Sequence, residues 1–171
     1  VINRMGFNNA GQQAATTRLQ RRRGHSGIVG INIGANKDSS DRIADYAAGV
    51  RAMAPLASYL TVNISSPNTP GLRNLQSREA LEELLGGVAA ARATDGPPVF
   101  LKVAPDLEPS EIDDIAAVAL AQGIDALIVS NTTIARPASL HSPLSPEAGG
   151  LSGAPLKERA LEVLRPVRRA T

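Results

Sequence analysis

Between Thr61 and Gln76 the chain reads TVNISSPNTPGLRNLQ, and within it Asn63, Ser65, Ser66, Asn68 and Thr69 crowd around Pro67. Carboxamides offer paired donors and acceptors to a planar polar ligand, and a hydroxyl takes up a proton once its own has somewhere to go. A turn that only reversed the chain would need few such residues. This one follows a β-type run, Tyr59 to Ile64, and sits at the strand end where parallel α/β sheets place their ligands. The segment reads as an active-site loop. Farther along, Lys102 falls inside the strand-like run VFLKVA, where a lysine is costly unless something anionic meets it.

Composition narrows the chemistry open to these residues. The 171 residues suffice for one domain with a real core, and 43% apolar with 20% charged residues places the chain in the globular class. With 0 cysteines there are no disulfides, no Cys-based zinc sites and no thiol nucleophile. The 2 histidines, His25 and His141, each stand alone in loop-like sequence, which argues against a histidine metal site or a Ser-His-Asp triad; no metal is expected. No apolar run approaches the roughly 20 residues of a membrane span, and no signal-peptide pattern opens the chain. The net charge is +2, and the cluster Arg18, Arg21, Arg22, Arg23 lacks interleaved aromatics. It reads as a solvated helix end or loop rather than a nucleic-acid surface.

The elements that must position these residues alternate regularly. Strands are expected over Gly27–Ile33, Ser58–Ile64, Val99–Ala104 and Asp125–Ser130. Helices are expected over Asp41–Ala54, over Ser77–Ala93 behind a Ser77 N-cap, over Pro109–Gln122 ending at Gly123, and from about Pro155 to Arg169. Such alternation means right-handed βαβ units and a parallel sheet. The period of two then turns Leu60, Val62 and Ile64 toward helices and Thr61 and Asn63 away from them, with Phe100 and Lys102 opposite Leu101 and Val103. One polar residue near the carboxyl end of each strand, Asn32, Asn63, Lys102 and Ser130, is expected on the non-helix side at equivalent depth. A doubly wound sheet covers both faces with helices and tolerates an inward lysine poorly. A (β/α)8 TIM barrel with its site at the mouth accommodates it, and four βα units make half of one. The ends, Val1 without an initiator methionine and Arg168-Arg169-Ala170-Thr171 at a helix close, read as the inside of a larger fold, with residues 1–171 as one partial barrel domain. The loop from Thr132 to Gly153 is long enough to suggest function, and its GGLSG end can bring backbone amides close to an anion.

Six segments in this order resemble the class 2, quinone-dependent dihydroorotate dehydrogenases. They are INRMGFNN (Ile2–Asn9), GINIGANKDSS (Gly30–Ser40), VNISSPNTPGLRNLQ (Val62–Gln76), FLKVAPDL (Phe100–Leu107), VSNTTIARP (Val129–Pro137) and GGLSGAPL (Gly149–Leu156). The resemblance implies a (β/α)8 barrel that holds FMN and oxidises (S)-dihydroorotate to orotate in pyrimidine (UMP) synthesis, with quinone as electron acceptor. By motif, Ser66 is the catalytic base; class 1 relatives place a cysteine there, so a serine favours class 2. Asn32, Asn63, Lys102, Ser130 and Gly153 are implied FMN contacts. Asn3, Arg4, Met5, Gly6, Phe7, Asn63, Asn68, Asn131 and Thr132 are implied substrate contacts.

Oxidation of a carbon–carbon single bond removes a proton from one carbon and a hydride from its neighbour. The acceptor of the proton must stand on the face away from the flavin, where a loop after a strand can hold it. A serine hydroxyl needs a route for its own proton, for which Thr69 is the nearest candidate. Asp106 and Arg136 read as loop braces, and Ser152 as either a backbone-shaping or a ligand-touching residue. The resemblance lacks the two earlier strands, the two later strands that bind the FMN phosphate, and the hydrophobic N-terminal element that meets quinone. Peripheral contact with the cytoplasmic side of an inner membrane is thus expected through parts outside this chain, and the 171 residues alone are expected to bind FMN poorly and not to turn over. The alternatives are another FMN-dependent barrel oxidoreductase, of class 1 or dihydropyrimidine type, an inactive fragment, or a non-catalytic binding module.

Overall fold

In the computed structural model, which describes residues 1–171, the alternation of periods becomes a four-stranded parallel sheet with helices on one face. In chain order the elements are β1 (Ile2–Asn3), α1 (Gln12–Arg21), β2 (Gly30–Ile33), α2 (Arg42–Met53), β3 (Tyr59–Asn63), α3 (Arg78–Ala91), β4 (Val99–Val103), α4 (Pro109–Ala121), β5 (Ala126–Val129), β6 (Gly150–Leu151) and α5 (Lys157–Ala170). The sheet runs β2-β3-β4-β5, every pair parallel, so each strand neighbours the next in sequence.

The core lies between this sheet and its helices. Ile33, Leu60, Val62, Ile64, Val99, Leu101 and Val103 meet Tyr46, Val50 and Met53 of α2, Leu81, Leu84, Leu85 and Val88 of α3, and Ile112, Ile115 and Val118 of α4. The non-helix face is different in kind. There the Tyr59 ring lies over Gly30, where any β-carbon would collide with it. Tyr59 also stacks on Phe100 with ring centroids 4.8 Å apart.

Helix ends follow the local chemistry. Asp41 accepts the Ala44 amide at 2.9 Å to start α2, Glu108 and Glu111 form a reciprocal capping box behind Pro109, and Gly123, at φ 65°, follows α4. Ser77 does occupy the N-cap of α3, but its hydroxyl makes no capping bond. Three elements lie outside the expected set. Helix α1 buries no residue, so no apolar stripe announces it; Arg18 and Arg21 fall in its last turn, where cations complement the helix dipole. The antiparallel pair β1–β6 joins residues some 150 positions apart, Ile2 to Leu151 and Asn3 to Gly150. An isolated bridge from Thr133 to Leu151 extends it.

The four polar strand positions do not share one hydrogen-bonded row. Asn32 stands opposite Thr61, Asn63 opposite Lys102, and Lys102 opposite Ile128, two residues before Ser130. The set therefore climbs two rows, then none, then two. Strands of a barrel tilt against its axis, and a shear of eight over eight strands averages about one row per junction. A climb of four rows over three junctions is of the order that such tilt requires.

Candidate active site

The pocket at the carboxyl end of the sheet is built from short local bonds outward. Tyr46 donates its buried hydroxyl to the Asn63 carbonyl at 2.7 Å, which fixes the last residue of β3 from the helix side. The Asn63 carboxamide oxygen then accepts the Ser65 amide at 3.2 Å and the Ser65 hydroxyl at 3.0 Å, a turn that asparagine makes on its own backbone. Asn131, just beyond β5, reaches back with its Nδ2 to the Ser65 hydroxyl at 3.0 Å, while its Oδ1 accepts the Thr132 amide at 2.8 Å. Ser66 follows, buried, its Oγ accepting the Asn68 amide at 3.3 Å. No hydrogen bond joins Ser66 to Thr69. From above, the Asn68 Nδ2 donates to the Asn3 carbonyl and side chain, both at 3.3 Å, so the β1–β6 pair brings the first residues of the chain over the loop.

These bonds enclose a pocket of about 150 Å³ with 11 lining residues, of which Phe7 and Pro67 are the only ones whose side chains lack a polar atom, Gly6 apart. It gathers Asn3, Gly6, Phe7, Asn32, Asn63, Ser66, Asn68, Lys102, Asn131 and Thr132 in one place. Lys102 enters from β4, level with Asn63, and its ammonium belongs to none of the chain's 6 ion pairs. A partly buried, unpaired cation facing carboxamides and a hydroxyl favours a planar ligand that carries negative charge.

Four expected contacts lie elsewhere. Arg4 turns outward to Glu147 at 2.7 Å and the Ala148 carbonyl at 3.1 Å, and Met5 is 68% exposed. Ser130 donates to its neighbour's carbonyl, that of Asn131, at 3.1 Å, and Gly153 opens the short turn before α5, where an added β-carbon would meet nothing within 4 Å. Ser152 shapes backbone: its amide and hydroxyl both donate to the Val1 carbonyl. Arg136 braces the long loop through the Glu147 and Gly149 carbonyls, each at 2.7 Å.

Asp106 is also a brace, and a more central one. Burial opposes its charge, but hydrogen bonds from the Thr133 hydroxyl and the Ile134 amide, together with the Arg73 guanidinium, outweigh that and hold its carboxyl below the usual range. Arg73, Tyr46 and Gln76, none of them among the expected site residues, also brace the site. Gln76 accepts the Ala104 amide at 2.8 Å and so ties the active loop to the end of β4. For Gln76 the available signal was its place inside the contiguous polar motif, since a buried glutamine must find partners.

A parallel sheet lined by helices on one face, with a polar pocket at the carboxyl ends of its strands, defines this chain as part of a (β/α)8 barrel enzyme. The family described as dihydroorotate dehydrogenase matches residues 1–171. The dihydroorotate dehydrogenase (quinone) of Erythrobacter litoralis is 65% identical over 171 residues, covering 100% of this chain and 50% of that protein. That of Sphingopyxis alaskensis is 67% identical over 174 residues, covering 100% and 49%. The crystal structure of Eimeria tenella DHODH in complex with ferulenol superposes with a TM-score of 0.93 at 39% identity, covering 99% of this chain and 53% of that one. The ligand-free form gives 0.89 at 38%, covering 99% and 55%. The chain belongs to the dihydroorotate dehydrogenase family, and it spans about half the length of the curated relatives it matches.

Proposed function

We propose that the full-length barrel carrying this segment oxidises (S)-dihydroorotate to orotate in de novo pyrimidine (UMP) synthesis, with FMN as its flavin and quinone as its electron acceptor. One observation carries this reading: the Ser66 hydroxyl and the Lys102 ammonium line the same small pocket of carboxamides. The residues fit a flavin. Lys102 has no anionic partner within the chain, and Asn32 and Asn63 present carboxamides from the two preceding strands, Asn63 level with it. These three would hold the ring, with Ser130 and Gly153 at the neighbouring loop ends; FMN supplies the two-electron acceptor that no side chain can provide.

The chain's own residues supply orientation and proton transfer. Asn3, Asn68, Asn131 and Thr132 offer donors and acceptors to a carboxylated pyrimidine ring, Phe7 packs its face, and Gly6, Met5 and Arg4 carry the backbone past it. Ser66 Oγ takes the carbon-bound proton and passes its own to solvent. The Asn68 amide aimed at Oγ stabilises the negative charge that develops there. Lys102 stabilises charge across the pocket and needs no reorganisation to do so. Quinones are lipid-dissolved, so the full-length protein works at a membrane surface, on the cytoplasmic side of a bacterial inner membrane. No helix of this chain is long and apolar enough to cross one.

The test uses a full-length barrel in which this segment replaces the matching half of the Sphingopyxis relative. Ser66→Ala is expected to lower dihydroorotate-dependent quinone reduction by about 10²- to 10⁴-fold, the range of a lost general base, while orotate still binds. Unchanged turnover would remove Ser66 from this role.

A further inference from the structure

We propose that Arg73 and Asp106 act as a positioning pair for the proton-transfer residue, locking three strand-to-helix loops into the arrangement that places Ser66; this rests on the reading of Ser66 as the base. Neither residue lines the pocket. Each nitrogen of the Arg73 guanidinium has a separate task. Nε donates to the Ser65 carbonyl at 3.1 Å, one terminal nitrogen to Asp106 Oδ2 at 2.7 Å, and the other to the Thr132 carbonyl at 2.8 Å. Asp106 completes the set with its other oxygen on the Thr133 hydroxyl and with the Ile134 amide at 3.0 Å.

The loops after β3, β4 and β5 thus meet at one planar group. Ser65 is the point of leverage: its carbonyl is held by Arg73, its side chain by Asn63 and Asn131, and the next residue is Ser66. On the other side the Thr132 carbonyl is held while the Asn131 and Thr132 side chains face the pocket. The side chains of the pair are only 20% and 19% exposed, so water competes weakly for these bonds. A lysine cannot reproduce the fork, since a point charge with rotating donors does not fix three acceptors at set directions. The arrangement differs from that of the two intrahelical ion pairs. Arg78–Glu82 and Arg159–Glu162 lie within single helices and are largely solvated, the kind of pair that contributes little.

The experiment uses the same completed barrel, loaded with FMN, in Arg73→Lys, Arg73→Gln, Asp106→Asn and Ser66→Ala forms. Four quantities are measured: the stopped-flow rate of flavin reduction at saturating dihydroorotate, its isotope effect with substrate deuterated at the carbon that loses the proton, orotate affinity, and amide hydrogen exchange. A loop displaced by an ångström costs on the order of a hundredfold in rate. The Arg73 and Asp106 variants are therefore expected to slow flavin reduction about a hundredfold and to raise the isotope effect as proton removal becomes limiting. Exchange should accelerate at Ser66, Asn68 and Thr132–Ile134, and orotate affinity should fall less than the rate. A rate loss with an unchanged isotope effect and unchanged loop exchange would show that the pair only supports the fold, and the proposal would be overturned. Asp106→Asn keeps shape and volume, so the question is answered even where Arg73→Gln fails to fold. If Ser66→Ala keeps its rate, the reading of Ser66 fails; if Ser66→Ala is inactive while Arg73→Lys matches the parent in all four quantities, only the positioning pair fails.

Discussion

Tyr46 shows how much a single buried hydroxyl contributes to this site. Its ring is fully buried and its hydroxyl donates to the Asn63 carbonyl at 2.7 Å. Burial pushes its ionisation far above the ordinary phenol value of 10.0. A raised pKa in the fold means that the stabilisation is fully present below the unfolded value and is lost as pH climbs from there toward the folded one. Tyr46→Phe leaves a buried carbonyl without this donor and is expected to cost about 1–3 kcal/mol at neutral pH, measured by urea unfolding. The same variant should also lose the steeper fall in stability that the parent shows above pH 10.0, the point where the unfolded phenol ionises. A Tyr46→Phe chain with the parent's alkaline profile would rule this account out. Ser66, Asn63, Asn68 and Lys102 were legible in the sequence because each stands within a contiguous motif or an alternating strand. Tyr46 and Arg73 were not, because Tyr46 and two of the three Arg73 nitrogens bond backbone carbonyls, which carry no sequence signal, and Asp106 lies 33 positions from Arg73. Arg4 and Met5 lie in the right motif, yet adjacent side chains in an extended segment diverge, and theirs point to Glu147 and to solvent.

Among the elements, the strands were the most legible. Buried Val99, Leu101 and Val103 alternating with half-buried Phe100 and Lys102 is the period of two written into the sequence. The β1–β6 pair was not legible. Two residues on each side, separated by most of the chain, give neither periodicity nor a turn signal. Yet this small sheet roofs the pocket, and Gly150 is its tightest point. A β-carbon there would collide with the Thr132 side chain and come within 3.2 Å of the Pro67 ring. Both neighbours line the pocket, so the strain has nowhere to go except into the site. Overpacking of this kind costs about 1–3 kcal/mol, which as binding free energy is roughly ten- to a hundredfold. Gly150→Ala in the completed barrel is therefore expected to weaken orotate binding by up to that range and to lower the melting temperature by roughly a few degrees. Parent-like affinity would mean that the roof yields without disturbing the pocket.

At the scale of the whole molecule, the inward lysine favours a barrel over a doubly wound sheet, and the climbing register of Asn32, Asn63, Lys102 and Ser130 agrees with that choice. The same geometry fixes how this chain behaves by itself. A closed barrel has no edges, whereas here β2 and β5 each keep one unpaired side, and the face that a barrel would enclose carries the Tyr59–Phe100 stack and a Lys102 with no anionic partner. Unpaired edges of a parallel sheet template further pairing. The 171-residue chain is accordingly expected to self-associate in sedimentation at tens of micromolar and to bind FMN weakly, because only one wall of the pocket is present. Mixing it with the complementary half of the Sphingopyxis relative should suppress that association and yield a one-to-one complex that holds FMN, since pairing across β2 and β5 both satisfies the edges and supplies the facing wall. A monodisperse monomer that binds FMN stoichiometrically without the second half would show that closure is not what the edges and the inner face require.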